Sequence, residues 1–87
     1  MKAVITVLGK DTVGIIYKVS KVLYELNINI DDISQTVLQD YFTMIMLVSS
    51  SKEIAISEIN QAFEPLNEEG LIIRVQKTDI FDIMHRI

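Results

Sequence analysis

The sequence predicts one α+β domain with a four-stranded antiparallel sheet and two helices on one of its faces. Two observations predict this class. The hydrophobic periodicity of the 87 residues changes in the order strand, helix, strand, strand, helix, strand. The first and third predicted strands are apolar on both faces, as central strands are. Right-handed crossovers then place both helices on the same side of the sheet.

The first half of the chain is predicted to form a strand, a helix and a second strand. Lys2 to Leu8 is rich in β-branched residues and stops at Gly9. From Gly14, apolar residues recur every three or four positions, which predicts a helix. They are Ile15, Val19, Val22 and Leu26. Asn27 follows in the position where a helix ends on a left-handed residue. Asn29 to Leu38 mixes polar and apolar residues on both faces and suits an edge strand.

The second half repeats this pattern. A short turn over 39–41 leads into Phe42 to Val48, which is apolar on both faces. Ser50 and Glu53 fit a capping box that would open the second helix. Its apolar stripe consists of Ile56, Ile59, Phe63 and Leu66. Pro65 is expected to kink or end this helix at about Glu64. After Gly70, the segment over 71–78 alternates as a last strand.

This order of elements is the ferredoxin-like sandwich, and it leaves one sheet face uncovered. That face is lined either by Val4 and Leu8 or by Ile5 and Val7, and both pairs are apolar. A bare apolar face implies a cover. Four residues of the C-terminal segment share one helical face, although nine residues are too few for a stable isolated helix. They are Ile80, Ile83, Met84 and Ile87. We therefore predict a domain over 1–78 and a short docked helical tail over 79–87, seated on its own sheet or on a neighbour's.

Composition and charge exclude several function classes. The net charge is −4, from 8 basic and 12 acidic residues, which disfavours direct binding to nucleic acid or to an anionic membrane. The absence of cysteine excludes disulfides, thiol catalysis and cysteine-ligated metals, and it fits a cytoplasmic protein. No apolar run approaches the ~20 residues of a membrane helix, and no signal peptide is recognisable.

Residues able to support catalysis are few and scattered. Asp31 and Asp32 are adjacent on a predicted strand and would point to opposite faces. His85 is the single histidine, and it has no second metal ligand nearby in sequence. Met44 and Met46 suit packing. The stretch over 9–16 lacks an arginine or the glycine spacing of a phosphate-binding loop. We expect no enzyme, no cofactor and no metal.

The connection between the first strand and the first helix is the strongest candidate site. Gly9 and Gly14 flank Asp11 there. A helix start carries unpaired N–H groups and attracts anions, and a glycine does not obstruct their approach. Asp11 would then pair with a ligand amine. A tight turn, with Asp11 or Thr12 capping the helix, fits the same residues equally well.

The segment VLGKDTVGIIYKVSKVLYELNINIDDISQTV, residues 7–37, resembles the first half of an ACT domain. It is especially similar to small stand-alone ACT proteins related to the glycine cleavage system transcriptional repressor. The motif that supports this resemblance is Gly-x-Asp-x-x-Gly-Ile, followed by a helix and then by Asn-Ile-x-Asp-Ile. ACT domains are small regulatory modules that bind amino acids at a dimer interface. Serine-binding members have Asn where this chain has Asp11 and His where it has Gly9, so the resemblance does not assign serine as the ligand.

The resemblance implies a ligand site formed by the first loop and the start of the second strand. The matching residues are Asp11, Val13, Gly14, Ile15, Asn29 and Ile30. It implies a homodimer that senses a free amino acid or a similar metabolite and acts through a partner protein. The alternative is a protein–protein interaction module without a ligand. Dimerisation by edge pairing of strands and by packing of sheet faces both remain open.

Overall fold

The computed structural model describes residues 1–10 and 12–78. Asp11 and the predicted docked tail over 79–87 lie outside the described residues. The elements follow the predicted order and are β1 (Lys2–Lys10), α1 (Ile15–Glu25), β2 (Asn29–Leu38), β3 (Tyr41–Ser49), α2 (Ile56–Glu68) and β4 (Ile72–Lys77). The predicted ferredoxin-like βαββαβ fold is confirmed.

The four strands form one antiparallel sheet in the order β2-β3-β1-β4. The strands β1 and β3 are therefore central, and β2 is an edge strand, as predicted. One sheet face is buried under both helices. Its strand residues are Ala3, Ile5, Val7, Phe42, Met44, Met46, Val48, Ile73 and Val75, and its helix residues include Ile15, Val19, Leu23, Ile59, Phe63 and Leu66. The uncovered face is consequently the one that carries Val4 and Leu8.

Both helices end in the same way, on a residue with positive φ. Asn27 (φ 59°) follows α1, and Gly70 (φ 104°) follows α2. The Asn27 N–H donates to the Tyr24 carbonyl (3.0 Å), and the Ile28 N–H donates to the Leu23 carbonyl (2.9 Å). These two bonds make the Schellman motif, which satisfies carbonyls left free at the helix end. The prediction for Asn27 is confirmed.

The predicted capping box at Ser50 and Glu53 is wrong. The helix α2 begins later, with Ala55 as the N-cap residue. The Ser50 hydroxyl instead accepts a hydrogen bond from the Lys52 N–H (3.2 Å), and the Glu53 carboxylate lies 3.7 Å from the N-terminal amine of Met1. The chain leaves β3 at the sheet and must reach the helix layer before a helix can begin, so the local motif forms a turn.

Of the two outcomes predicted for Pro65, a kink or an end of α2 near Glu64, the end is wrong, because the helix continues through Pro65 to Glu68. Proline removes one helical N–H and frees the carbonyl four residues earlier, that of Gln61. Both Pro65 and Gln61 are exposed on the solvent side of the helix. Water can satisfy the freed carbonyl there, while Phe63 and Leu66 hold the opposite side in the core.

Candidate functional site

The first glycine of the candidate loop lies inside a strand and is tightly packed. The strand β1 continues to Lys10, two residues past the predicted end at Leu8, and Gly9 pairs with Phe42 on β3. A Cβ atom at Gly9 would lie 2.6 Å from the Leu71 Cδ2 atom and 3.5 Å from the Gly70 carbonyl oxygen. Real Cβ atoms do not come so close. Gly9 therefore allows β1 to pack against the turn between α2 and β4.

Glycine is needed at the second position, Gly14, for a different reason. Gly14 is the N-cap residue of α1 with φ 88°, and nothing lies within 4 Å of the position that its Cβ would occupy. Glycine is required there by the backbone conformation, not by crowding. Its carbonyl accepts the N–H of Lys18 at 2.9 Å, which closes the first helical turn.

The start of α1 is open to solvent. Val13, just before it, is 98% exposed. Thr12 does not occupy the N-cap position expected for a capping side chain, since Gly14 does. The first N–H groups of a helix have no partner within the helix and carry a partial positive charge. This end of α1 can therefore donate main-chain hydrogen bonds to a small anion.

Two of the predicted site residues serve mainly in packing. Ile15 is 4% exposed and belongs to the core cluster, and Ile30 is half-buried against that cluster. Their side chains face the protein interior, so only their main-chain groups are available to a ligand. The two positions carry the hydrophobic periodicity of the fold, which is why a sequence motif includes them.

Asn29 lies in a polar network at the start of β2. Its Nδ2 atom donates to the Asp31 carboxylate at 2.7 Å. A hydrogen bond from Ser49, then the bond from Asn29, hold the pKa of Asp31 below its ordinary value. Asp31 is the extra residue of a β-bulge, since Ile30 pairs with Val48 and the following pair joins residues 32 and 47.

The two halves of the predicted site lie at opposite ends of the sheet. Lys10, which leads into the loop, pairs with Tyr41, whereas Asn29 pairs with Ser49 at the other end of β3. The two pairs are eight residue steps apart along β3, roughly 26 Å. One chain therefore does not bring Gly14 and Asn29 together, and a site that uses both needs two chains.

A depression of about 440 Å³ lies beside the loop, on the β4 side, and sequence reasoning missed it. It is lined by Leu8, Gly9, Lys10, Thr12, Ile15, Lys18, Tyr41, Glu69, Gly70, Leu71 and Ile72. Its floor is apolar, and on its rim the Lys18 ammonium lies 2.7 Å from the Glu69 carboxylate. The one signal in the sequence was Gly70, whose turn brings residues 69–72 against β1.

The described part of the chain offers neither a metal site nor a helix that spans a membrane. Residues 1–10 and 12–78 contain no group of three or more His, Cys, Asp or Glu side chains able to hold a metal ion. None of the helices described is long and apolar enough to cross a membrane.

Comparisons with known proteins agree with this geometry. The ACT domain profile matches residues 2–76. A UPF0237 protein from Clostridium perfringens is 52% identical over 89 residues, and the match covers 100% of each chain. An ACT domain protein from Streptococcus pneumoniae superposes with a TM-score of 0.84 at 46% identity, over 93% of each chain. A protein assigned as a glycine cleavage system transcriptional repressor gives a TM-score of 0.77 at 28% identity, over 90% of this chain and 46% of that one. The chain belongs to the ACT domain family.

Proposed function

We propose that this chain is a non-catalytic cytoplasmic regulatory module that binds a free amino acid, or a similar small metabolite, at a homodimer interface. One observation carries the proposal. The helix α1 begins on a glycine with positive φ, and the space around that glycine is open. A helix start of this kind receives a carboxylate. Membership of a family of regulatory domains supports the same role.

An amino acid offers complementary groups to the two halves of the site. Its carboxylate accepts N–H groups at the start of α1, near Gly14. The negative charge of Asp11 pairs with its ammonium group. Asn29 both donates and accepts hydrogen bonds and so orients the same zwitterion. Ligand binding would break the bond between Asn29 and Asp31, which is exposed and therefore exchangeable with water.

Pairing of two β2 edge strands would bring together the two halves of the proposed site, the Gly14 loop and Asn29. In a two-fold symmetric pair, two β2 strands run antiparallel, so the start of one lies beside the end of the other. The end of β2, Leu38, pairs with Tyr41, which in turn pairs with Lys10 at the loop end of the sheet. Edge pairing thus brings Asn29 of one chain to the Gly14 loop of its partner and creates two equal sites.

A ligand held between two chains favours one geometry of the pair. It contributes binding energy only when the loop and the strand start are in register. Ligand concentration then sets how much of the protein adopts that geometry. A partner protein would then respond to the change in dimer geometry.

A thermal-shift screen of the twenty amino acids tests this proposal. A true ligand at ~100 times its dissociation constant adds about 2.7 kcal/mol of stability, which raises the melting temperature of a domain this size by roughly 10–20 °C. Asp11→Ala and Gly14→Val should each abolish the shift. Asn27→Ala is the matched control, because it strains a positive φ at the other end of α1 and should keep the full shift.

A mixing experiment tests whether the site spans two chains. Gly14→Val and Asn29→Ala homodimers should each fail to bind. A heterodimer of the two variants contains one site with an intact Gly14 and an intact Asn29. Random exchange in an equimolar mixture makes half of the dimers heterodimers, so mixing should restore about a quarter of the parent binding capacity measured by calorimetry. Failure of every amino acid to shift the parent protein contradicts the proposal, and so does binding by the unmixed variants.

One observation favours a second function, a protein–protein interaction module without a ligand. Tyr17 and Tyr24 on α1 are 68% and 80% exposed. They flank a shallow groove of about 400 Å³. Exposed aromatic side chains of this kind are enriched at protein interfaces. If no metabolite binds, this helix surface is the first place to substitute when a binding partner is mapped.

A further inference from the structure

The uncovered face of the sheet carries large apolar side chains that are partly exposed, beside the polar residues Thr6, Thr43 and Arg74. We call it the open face and define it by six side chains: Val4, Leu8, Tyr41, Ile45, Leu47 and Ile72. Four of them, Leu8, Ile45, Ile72 and Tyr41, are between 40% and 54% exposed. They are neighbours across three strands, since Val4 pairs with Leu47 and Leu8 pairs with Ile72. Contiguous apolar patches of this kind mark a covered surface.

The described chain stops at a corner of this same sheet. The Thr78 N–H donates to the Lys2 carbonyl at 3.3 Å, so the segment that follows starts beside the beginning of β1. Val4 is two residues along β1 from that corner, about 7 Å away. Leu8 is six residues along, about 20 Å away.

Residues 79–87 have the composition and the reach to cover it. Five of the nine are large and apolar, namely Ile80, Phe81, Ile83, Met84 and Ile87. Nine residues span about 13 Å as a helix and about 30 Å when extended. The ACT profile ends at residue 76, yet the match to the Clostridium perfringens protein covers 100% of both chains. That relative therefore carries a counterpart of this segment.

We propose that residues 79–87 cover the open face of their own chain. The segment starts at the edge of that face and reaches its centre in either conformation. A second copy is not needed to bury Val4, Ile45 and Leu47. This arrangement also selects between the two modes of dimerisation, because a covered face cannot pack against another sheet. The β2 edge is then the remaining route to a dimer.

Cysteine pairs test the proposal cleanly, because the chain contains no cysteine of its own. Leu47→Cys is combined in turn with Ile80→Cys, Ile83→Cys and Met84→Cys, and each variant is mildly oxidised. At least one pair should form an intrachain disulfide, seen as a faster monomer band without reductant. The control pair is Asn60→Cys with Ile83→Cys. Asn60 is exposed on α2, on the far side of the sheet, and should form none.

Truncation after Asp79 provides a measurement that does not depend on the choice of pairs. The shortened chain should bind a hydrophobic dye several-fold more strongly and melt at a lower temperature. Disulfides formed only between chains would overturn the proposal in favour of a second copy. Absence of any cross-link, together with unchanged dye binding and melting, would overturn docking altogether. Neither readout uses a ligand, so failure here leaves the proposed sensing function standing.

Discussion

The two ends of the sheet present different chemical groups at the surface. At the loop end, Gly14 opens α1 without a side chain, and the surface there offers main-chain groups. At the other end, Asn29, Asp31 and Ser49 form an exposed network of side-chain hydrogen bonds. In the proposed site, the first end would receive the ligand carboxylate, and Asn29 at the second end would orient the ligand. Because the two ends lie at opposite ends of β3, the proposed site would need one end from each of two chains.

The largest loss of folding stability is expected from substitution of Gly9, the packed glycine. In Gly9→Ala the new methyl group meets the Leu71 side chain, which must move. Overpacking of this kind costs about 1–3 kcal/mol, and Gly9→Val should cost more. Urea denaturation at equilibrium measures it. Combining Gly9→Ala with Leu71→Ala should cost less than the sum of the two single variants, since the clash disappears. Additive costs would show that the glycine is required for another reason.

A smaller loss of folding stability is expected from substitution of Gly14, whose surroundings are open. Gly14→Ala meets no neighbouring atom but must adopt a positive φ, which costs about 1–2 kcal/mol. Gly14→Asn should cost less, because asparagine tolerates this conformation, as Asn27 already does at the opposite end of α1. The same denaturation series measures both variants. Equal costs for Ala and Asn would contradict a purely conformational role.

The smallest effect is expected at the polar end and depends on pH. The pKa of Asp31 is lower in the folded state than in the unfolded state, so ionised Asp31 stabilises the fold. This contribution to stability is fully present above the unfolded pKa of about 3.9. It is lost as the pH falls through the folded-state pKa. Asp31→Asn should therefore make the loss of stability below about pH 4 less steep. In Ser49→Ala, the pKa of Asp31 should rise towards its ordinary value. Carboxyl NMR titration checks this directly, and an unmoved pKa would contradict the assigned cause.

The sequence predicts features that depend on nearby residues. Strand alternation, the apolar stripes of both helices and the left-handed Asn27 depend on spacing within a few residues, and each is confirmed. The start of α2 is different. Ser50 and Glu53 satisfy a capping motif locally, but Ile54 is drawn into the core before the helix begins. A tertiary contact therefore overrides the local pattern.

The candidate site is less predictable for the same reason. Gly9 is required by Leu71, a residue far along the chain, and no local pattern contains that contact. A motif read along the sequence places Gly14 and Asn29 in one site. The strand register separates them by the length of β3. The strand pairing, which the local sequence does not contain, is what shows that one chain does not bring Gly14 and Asn29 together.

The bulge at Asp31 also bears on aggregation. An exposed edge strand can recruit further strands without limit, and bulges and charges on the edge oppose this. The bulge and the carboxylates of Asp31 and Asp32 lie in the first third of β2, where they oppose unlimited pairing along this edge. The other edge, β4, is short and carries Arg74 and Lys77. In the proposed dimer paired through β2, the remaining edges would be the two β4 strands, whose shortness and charge would oppose the addition of further chains.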